Sequence, residues 1–225
     1  MLGVSSPRHL LIVGAGPGIG TAMAIQAAWS GAHVTLAARS AETLDAATLA
    51  VYNSMPEPRL SLLQVDAGDP FALRRIIADH ADWTEVPIDV ALFNVSMWVS
   101  GGWDSDPGEV DAGLRTGVVS GLAMAQALIP SMRELPQATL LFTGGGTADR
   151  PMTASLGLGL QKAALRNLAL GLDAELSGTS IRARTLTIHG TIAPDTPFAP
   201  ERIAAALWDL AVDREGPCAV DFTGG

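Results

Sequence analysis

Short runs of apolar residues alternate along this chain with longer stretches in which apolar positions recur every three or four residues. An unbroken apolar run suits a strand buried on both faces, and the longer periodic stretch suits a helix that covers it. The runs predict strands at 10–13, 33–38, 60–65, 88–93, 139–143, 182–188 and 219–222. The periodic stretches predict helices at 19–29, 41–51, 70–81, 107–132, 156–176 and 200–212. Strands that alternate with helices run parallel, because each helix carries the chain back across the sheet. The expected fold is α/β: a Rossmann-type, doubly wound, seven-stranded parallel sheet flanked by helices. Asp69-Pro70 and Asp106-Pro107 each set a capping acid before a proline suited to a helix's first turn. No repeat or linker breaks the pattern, so one dinucleotide-binding domain over 1–225 is expected.

The first strand leads into Gly14-Ala15-Gly16-Pro17-Gly18-Ile19-Gly20, which opens an Ala-rich helix. Glycine at such a junction permits a tight turn, lets a pyrophosphate approach backbone N–H groups and lets the helix pack on the strand. The spacing G-x-G-x-x-G is not met, since Ile19 stands where the third glycine falls; Gly14, Gly18 and Gly20 give G-x-x-x-G-x-G instead. The segment predicts a dinucleotide site built from Gly14, Gly16, Gly18, Ile19 and Gly20. The end of the second strand chooses between cofactors. An acid there, roughly 20 residues past the glycines, accepts from a free ribose hydroxyl, whereas an arginine neutralises a 2′-phosphate. This strand ends Ala37-Ala38-Arg39-Ser40, so Arg39 and Ser40 predict NADP(H), with Asp66 placed at the adenine edge.

Composition narrows the partners. A formal charge of −9 predicts repulsion from nucleic acid and anionic membranes, leaving a small-molecule substrate as the expected partner. The lone Cys218 allows no intramolecular disulfide and has no Cys or His cluster around it for a metal, so a cytoplasmic setting is expected. The run at 10–13 is too short for a signal-peptide core or a membrane span and reads as a strand.

With these residues the chain resembles the short-chain dehydrogenase/reductase family over nearly its whole length. The resemblance rests on Gly14, Gly18 and Gly20, on Asp66, on Asn94 at the end of the fourth strand, on Gln126 to Pro130, and on Lys162-Ala163-Ala164-Leu165. It implies that Asn94, Lys162 and His189 lie beside the cofactor, with Lys162 on the nicotinamide ribose, and that the two long helices build a homodimer or homotetramer. The family's Asn-Asn-Ala-Gly stands here as Phe93-Asn94-Val95-Ser96, and its Pro-Gly as His189-Gly190. In the family a Tyr exchanges a proton with the substrate and a Lys four residues later lowers its pKa. A Ser 13 residues before the Tyr binds the substrate oxygen, and an Asn continues the proton relay. Aligned on Lys162, the Tyr, Ser and Asn fall on Leu158, Gly145 and Gly117. The chain's single tyrosine, Tyr52, is on the second helix, so the standard mechanism is missing and the lysine alone is kept.

Ser155, nearly one helical turn before Leu158, and His189, at the ligand edge with a pKa naturally near neutrality, join Lys162 as the candidate catalytic residues. Thr143 is a third substitute. A structural role stays open for each: a helix cap for Ser155, a backbone-bonded hydroxyl for Thr143, a satisfied histidine beside the nicotinamide for His189. The loop bearing Met97, Trp98, Trp103, Asp104 and Asp106 either covers a flat, apolar ligand or tucks its tryptophans over the sheet. Three functions follow from these residues. The first is an NADP(H)-dependent oxidoreductase whose proton comes from His189, water or the substrate. The second is a non-redox cyclase or isomerase, and the third an NADP(H)-binding regulatory protein without turnover.

Overall fold

The computed structural model describes residues 8–224, so residues 1–7 and 225 of the expected domain lie outside the described residues. Seven strands form one parallel sheet: β1 (His9–Val13), β2 (His33–Ala38), β3 (Leu60–Gln64), β4 (Val90–Phe93), β5 (Ala138–Gly145), β6 (Ile181–Ile188) and β7 (Ala219–Phe222). Their order is β3-β2-β1-β4-β5-β6-β7, so the winding reverses between β1 and β4. A crevice opens at such a reversal, beyond the carboxyl ends of the strands.

Helices α1 (Ile19–Trp29), α2 (Ala41–Ser54) and α7 (Pro200–Val212) cover one face, and α3 (Pro70–Trp83), α5 (Ser120–Met132) and α6 (Leu156–Glu175) the other. Alternate residues of each central strand supply the two cores: Leu10 and Ile12 face the first, Leu11 and Val13 the second. This two-sided burial is why the strands read as continuous apolar runs.

Two expectations are corrected. Strand β4 begins at Val90 rather than 88; Asp89, just before it, turns its carboxylate onto the Arg8 and His9 amides at 2.9 to 3.1 Å. The single helix expected over 107–132 is divided into α4 (Pro107–Leu114) and α5 by a π-helical turn, Arg115–Val119. A side chain from α6 is wedged against this turn, as described below. The stretch Pro107–Met132 is apolar and long enough to cross a membrane by composition, yet Met124, Ala125, Leu128 and Met132 are spent on the second core. Strand β5 runs on past residue 143, through Gly144 and Gly145, pairing with Thr187 and Ile188 at the carboxyl edge.

Candidate functional site

The turn after β1 requires glycine at three positions, two for want of room and one for its backbone conformation. Gly14 has φ +92°, and a Cβ there would stand 2.7 Å from the Asn94 carbonyl oxygen. Gly18 has φ +97°, a conformation that glycine alone adopts cheaply, and a Cβ on Gly20 would stand 2.5 Å from the Gly14 carbonyl oxygen. Gly16 meets neither restriction; the space beside it is open to 4 Å, as it is beside Gly18. Side chains of Ser40, Asp69, Asp106 and Ser155 cap α2, α3, α4 and α6, but α1 starts at Gly18 with no side-chain cap and no acid in its first turn. Its first amides, Ile19 and Gly20 among them, lack intrahelical acceptors and carry the positive end of the helix dipole. The Ile19 side chain is core, 6% exposed, so this residue can offer only its backbone to a ligand.

Beside the turn lies a cleft of about 550 Å³, lined by Arg39, Ser40, Asp66, Asn94 and Met97 among others. Arg39 is exposed at its rim. The Ser40 hydroxyl accepts from Thr43 N–H at 3.3 Å as the cap of α2. Asp66 accepts from Gly68 N–H at 2.8 Å and so closes its own turn. Asn94 lines the cleft, and its side chain is also a brace. Its Nδ2 donates to the Gly14 carbonyl at 3.1 Å and its Oδ1 accepts the Thr143 hydroxyl at 2.9 Å, which ties the glycine turn to β5. That same bond commits Thr143.

Lys162 is buried, and its Nζ donates to the Thr143 carbonyl at 2.9 Å. Burial without a carboxylate partner pushes its pKa down to about 8. Its stem lies along Gly145, where an added Cβ would make ordinary contact, 3.4 Å from Lys162 Cγ. Ser155 is corrected. It is fully buried, donates to the Val99 carbonyl at 2.5 Å and accepts Leu158 N–H at 3.4 Å, so its hydroxyl holds a helix start and offers nothing to a substrate. His189 sits just past β6 with its Nε2 3.0 Å from Asp221 Oδ1 on β7, and its Nδ1 faces Gly146, where a Cβ would stand 2.9 Å away. A proton on Nε2 leaves Nδ1 free to accept or, in the imidazolium, to donate.

The loop after β4 does not tuck its tryptophans over the sheet, which corrects one of the two expectations held for it. Its backbone is stitched to the entrance of α6, with Gly101 N–H on the Ala154 carbonyl and Leu156 N–H on the Gly101 carbonyl, both at 3.1 Å. Its tryptophans stay outside: Trp98 is 56% exposed and Trp103 95%. Two residues of the site escaped the sequence reading. Asp221 alternates with apolar neighbours on the last strand, as any edge carboxylate does, and Gln161 precedes the motif lysine with no pattern of its own.

The family model of the short chain dehydrogenases matches residues 8–199. No curated protein matches the chain. Among solved structures, one described as a short-chain dehydrogenase/reductase from Burkholderia xenovorans superposes with TM-score 0.88 at 21% identity, over 99% of this chain and 97% of that one. A metagenomic short-chain oxidoreductase in complex with NADP gives TM-score 0.82 at 20% identity, covering 97% of each chain. The NADPH-bound short chain oxidoreductase of Pseudomonas aeruginosa PAO1, described as containing an atypical catalytic center, gives TM-score 0.86 at 19% identity over 97% of this chain and 96% of that one. Identities this low carry the fold, and the family match over residues 8–199 carries the membership: the chain belongs to the short-chain dehydrogenase family.

Proposed function

We propose that the protein binds NADP(H) and serves hydride transfer to or from a small molecule without a tyrosine acid. The observation that carries this reading is the uncapped, glycine-cleared start of α1 beside Arg39, in a cleft whose lining holds one carboxylate, Asp66, already turned onto Gly68. The open space at Gly16 and Gly18 and the free amides of the first turn fit a pyrophosphate. Arg39, with the Ser40 hydroxyl, fits a 2′-phosphate, and Lys162 fits the ribose hydroxyls. A bound nicotinamide supplies or accepts the hydride. The chain's own residues then do little acid–base work: Leu158 exchanges no proton and Gly145 donates no hydrogen bond. This favours a substrate such as an iminium ion or an activated alkene, or one served by His189 through Nδ1. The neighbours solved with NADP and NADPH, one of them described as having an atypical catalytic center, support the cofactor and the departure from the tetrad.

The commitment of Thr143, Asn94 and Ser155 to structural bonds favours, as the second reading, an NADP(H)-binding protein without turnover. Val119 and Leu122 on the outer side of the α4–α5 stretch and Leu160 and Leu170 on that of α6 are exposed, which supports assembly into a dimer or tetramer through these helices. Calorimetric titration tests the cofactor. NADPH is expected to bind more tightly than NADH, and Arg39→Ala to weaken NADPH by roughly 1.5 to 3 kcal/mol, the range for hydrogen bonds to a charged group, with NADH unchanged. Equal affinity for the two cofactors would remove Arg39 from its role.

A further inference from the structure

Gln161 is 1% exposed, and every polar atom of its amide is used. Its Oε1 accepts Met97 N–H at 3.0 Å, while its Nε2 donates to the Met97 carbonyl at 2.8 Å and to the Gly157 carbonyl at 3.2 Å. The side chain thus meets both backbone groups of one loop residue, as a neighbouring strand would. Among the described residues, no other protein group bonds the backbone of Val95, Ser96, Met97 or Trp98. Two glycines on the α4–α5 stretch make the room. A Cβ on Gly113 would stand 2.6 Å from Gln161 Nε2, and one on Gly117, inside the π-helical turn, 2.5 Å from Oε1. The amide is held by three bonds, so a side chain at either position would have to break some of them. The tetrad position that falls on Gly117 is therefore empty because the tip of Gln161 fills it.

Val95, Ser96 and Met97 form one wall of the cleft that faces Arg39 and the glycine turn. We propose that Gln161 is the positioning residue of this cleft: by clasping Met97 it fixes the wall against α6 at the width a dinucleotide needs. The inference rests on the reading that NADP(H) occupies the cleft. Val95, beside the braced Asn94, packs on the second core, and apolar contacts at Val99, which packs on Gly157, with the backbone pairs at Gly101 hold the far end of the loop. Met97, between these two anchors, depends on the clasp. An unclasped wall must be ordered by the ligand itself, and that ordering is subtracted from the affinity.

The test uses Gln161→Met and Gln161→Glu in the full chain, with NADPH titrated by protein fluorescence and Met97 amide exchange followed by mass spectrometry. Methionine keeps the volume and loses the clasp, so NADPH is expected to bind on the order of tenfold more weakly and Met97 to exchange faster. Glutamic acid reproduces the clasp only while protonated, since a carboxylate cannot donate to the Met97 carbonyl. Burial at this position lifts the carboxyl above its ordinary range, roughly 4.3, so the variant's affinity is expected to approach the parent's as the pH is lowered towards about 6 and to fall about tenfold below it near pH 8. The parent measured at the same pH values carries the titration of Lys162, which sits on the same helix. Should methionine prevent folding, the pH dependence of the glutamic acid variant decides the matter. A parent that binds no NADPH overturns the cofactor reading. A parent that binds it, with a methionine variant equal in affinity and in Met97 exchange or a glutamic acid variant that tracks the parent across pH, overturns the role of Gln161.

Discussion

Acid is expected to unfold this protein through a histidine at the end of the sheet opposite the cleft. His9, the first residue of β1, is fully buried and stacks on His33 with ring centroids 4.2 Å apart. Its Nδ1 lies 2.6 Å from the Val86 carbonyl, which can only accept, so Nδ1 carries the proton of the neutral ring. Nε2, 2.7 Å from the Thr35 hydroxyl, must then accept the proton of Thr35. Thr35 has no second proton to give, so His80 Nε2, 2.9 Å away, donates to it. A second proton on His9 would turn Nε2 into a donor, so the Thr35 hydroxyl would have to turn its proton onto His80 Nε2 and force that ring into its other tautomer. It would also place a cation in a desolvated site among His33, His80 and Arg59. Burial first, and these neighbours after it, push the His9 pKa from 6.5 down to about 4, against the raising effect of the Val86 carbonyl. The folded state therefore binds fewer protons than the unfolded one between these values. Stability is complete above the unfolded pKa and is lost as pH falls towards the folded one. The shift amounts to roughly 3 kcal/mol in full and about 2 kcal/mol at pH 5. Urea unfolding of the parent and of His9→Phe at pH 7 and pH 5 measures it. Phenylalanine keeps the stack but does not titrate, so the parent should lose about 2 kcal/mol more than the variant over that interval. Equal losses in the two proteins would refute the reasoning.

If His189 donates the proton, His189→Ala should leave NADPH affinity intact and lower turnover of the true substrate by about 100-fold or more; turnover equal to the parent's would make the histidine structural. Plain ketones should be reduced very slowly, and Leu158→Tyr with Gly145→Ser should raise that activity by roughly 100-fold or more, since a Cβ at 145 meets the Lys162 stem at ordinary contact distance. Rapid reduction of a plain ketone by the parent would show that a proton donor had been overlooked.

The sequence by itself determined the sheet, because strands covered by helices on both faces must be apolar at nearly every position, and that demand is written residue by residue. It also determined the glycine turn, since the positive φ of Gly14 and Gly18 and the contact between Gly20 and Gly14 arise within seven residues of one another. The place of Lys162 on its helix and the absence of tyrosine and serine partners were equally legible, as matters of spacing. What the hydroxyls, amides and imidazoles do was not. Ser155 caps a helix and binds Val99, 56 residues away, Gln161 clasps Met97 across 64 residues, and His189 meets Asp221 across 32. His9, Thr35 and His80 share one network from three separate elements. A hydrogen bond reaches about 3 Å and is directional, so a polar side chain becomes a cap, a brace or a free catalytic group according to which distant backbone or side chain the fold brings within that reach. Apolar burial tolerates any neighbour of roughly the right volume and can be read from pattern, whereas these polar assignments exist only once the tertiary structure has formed.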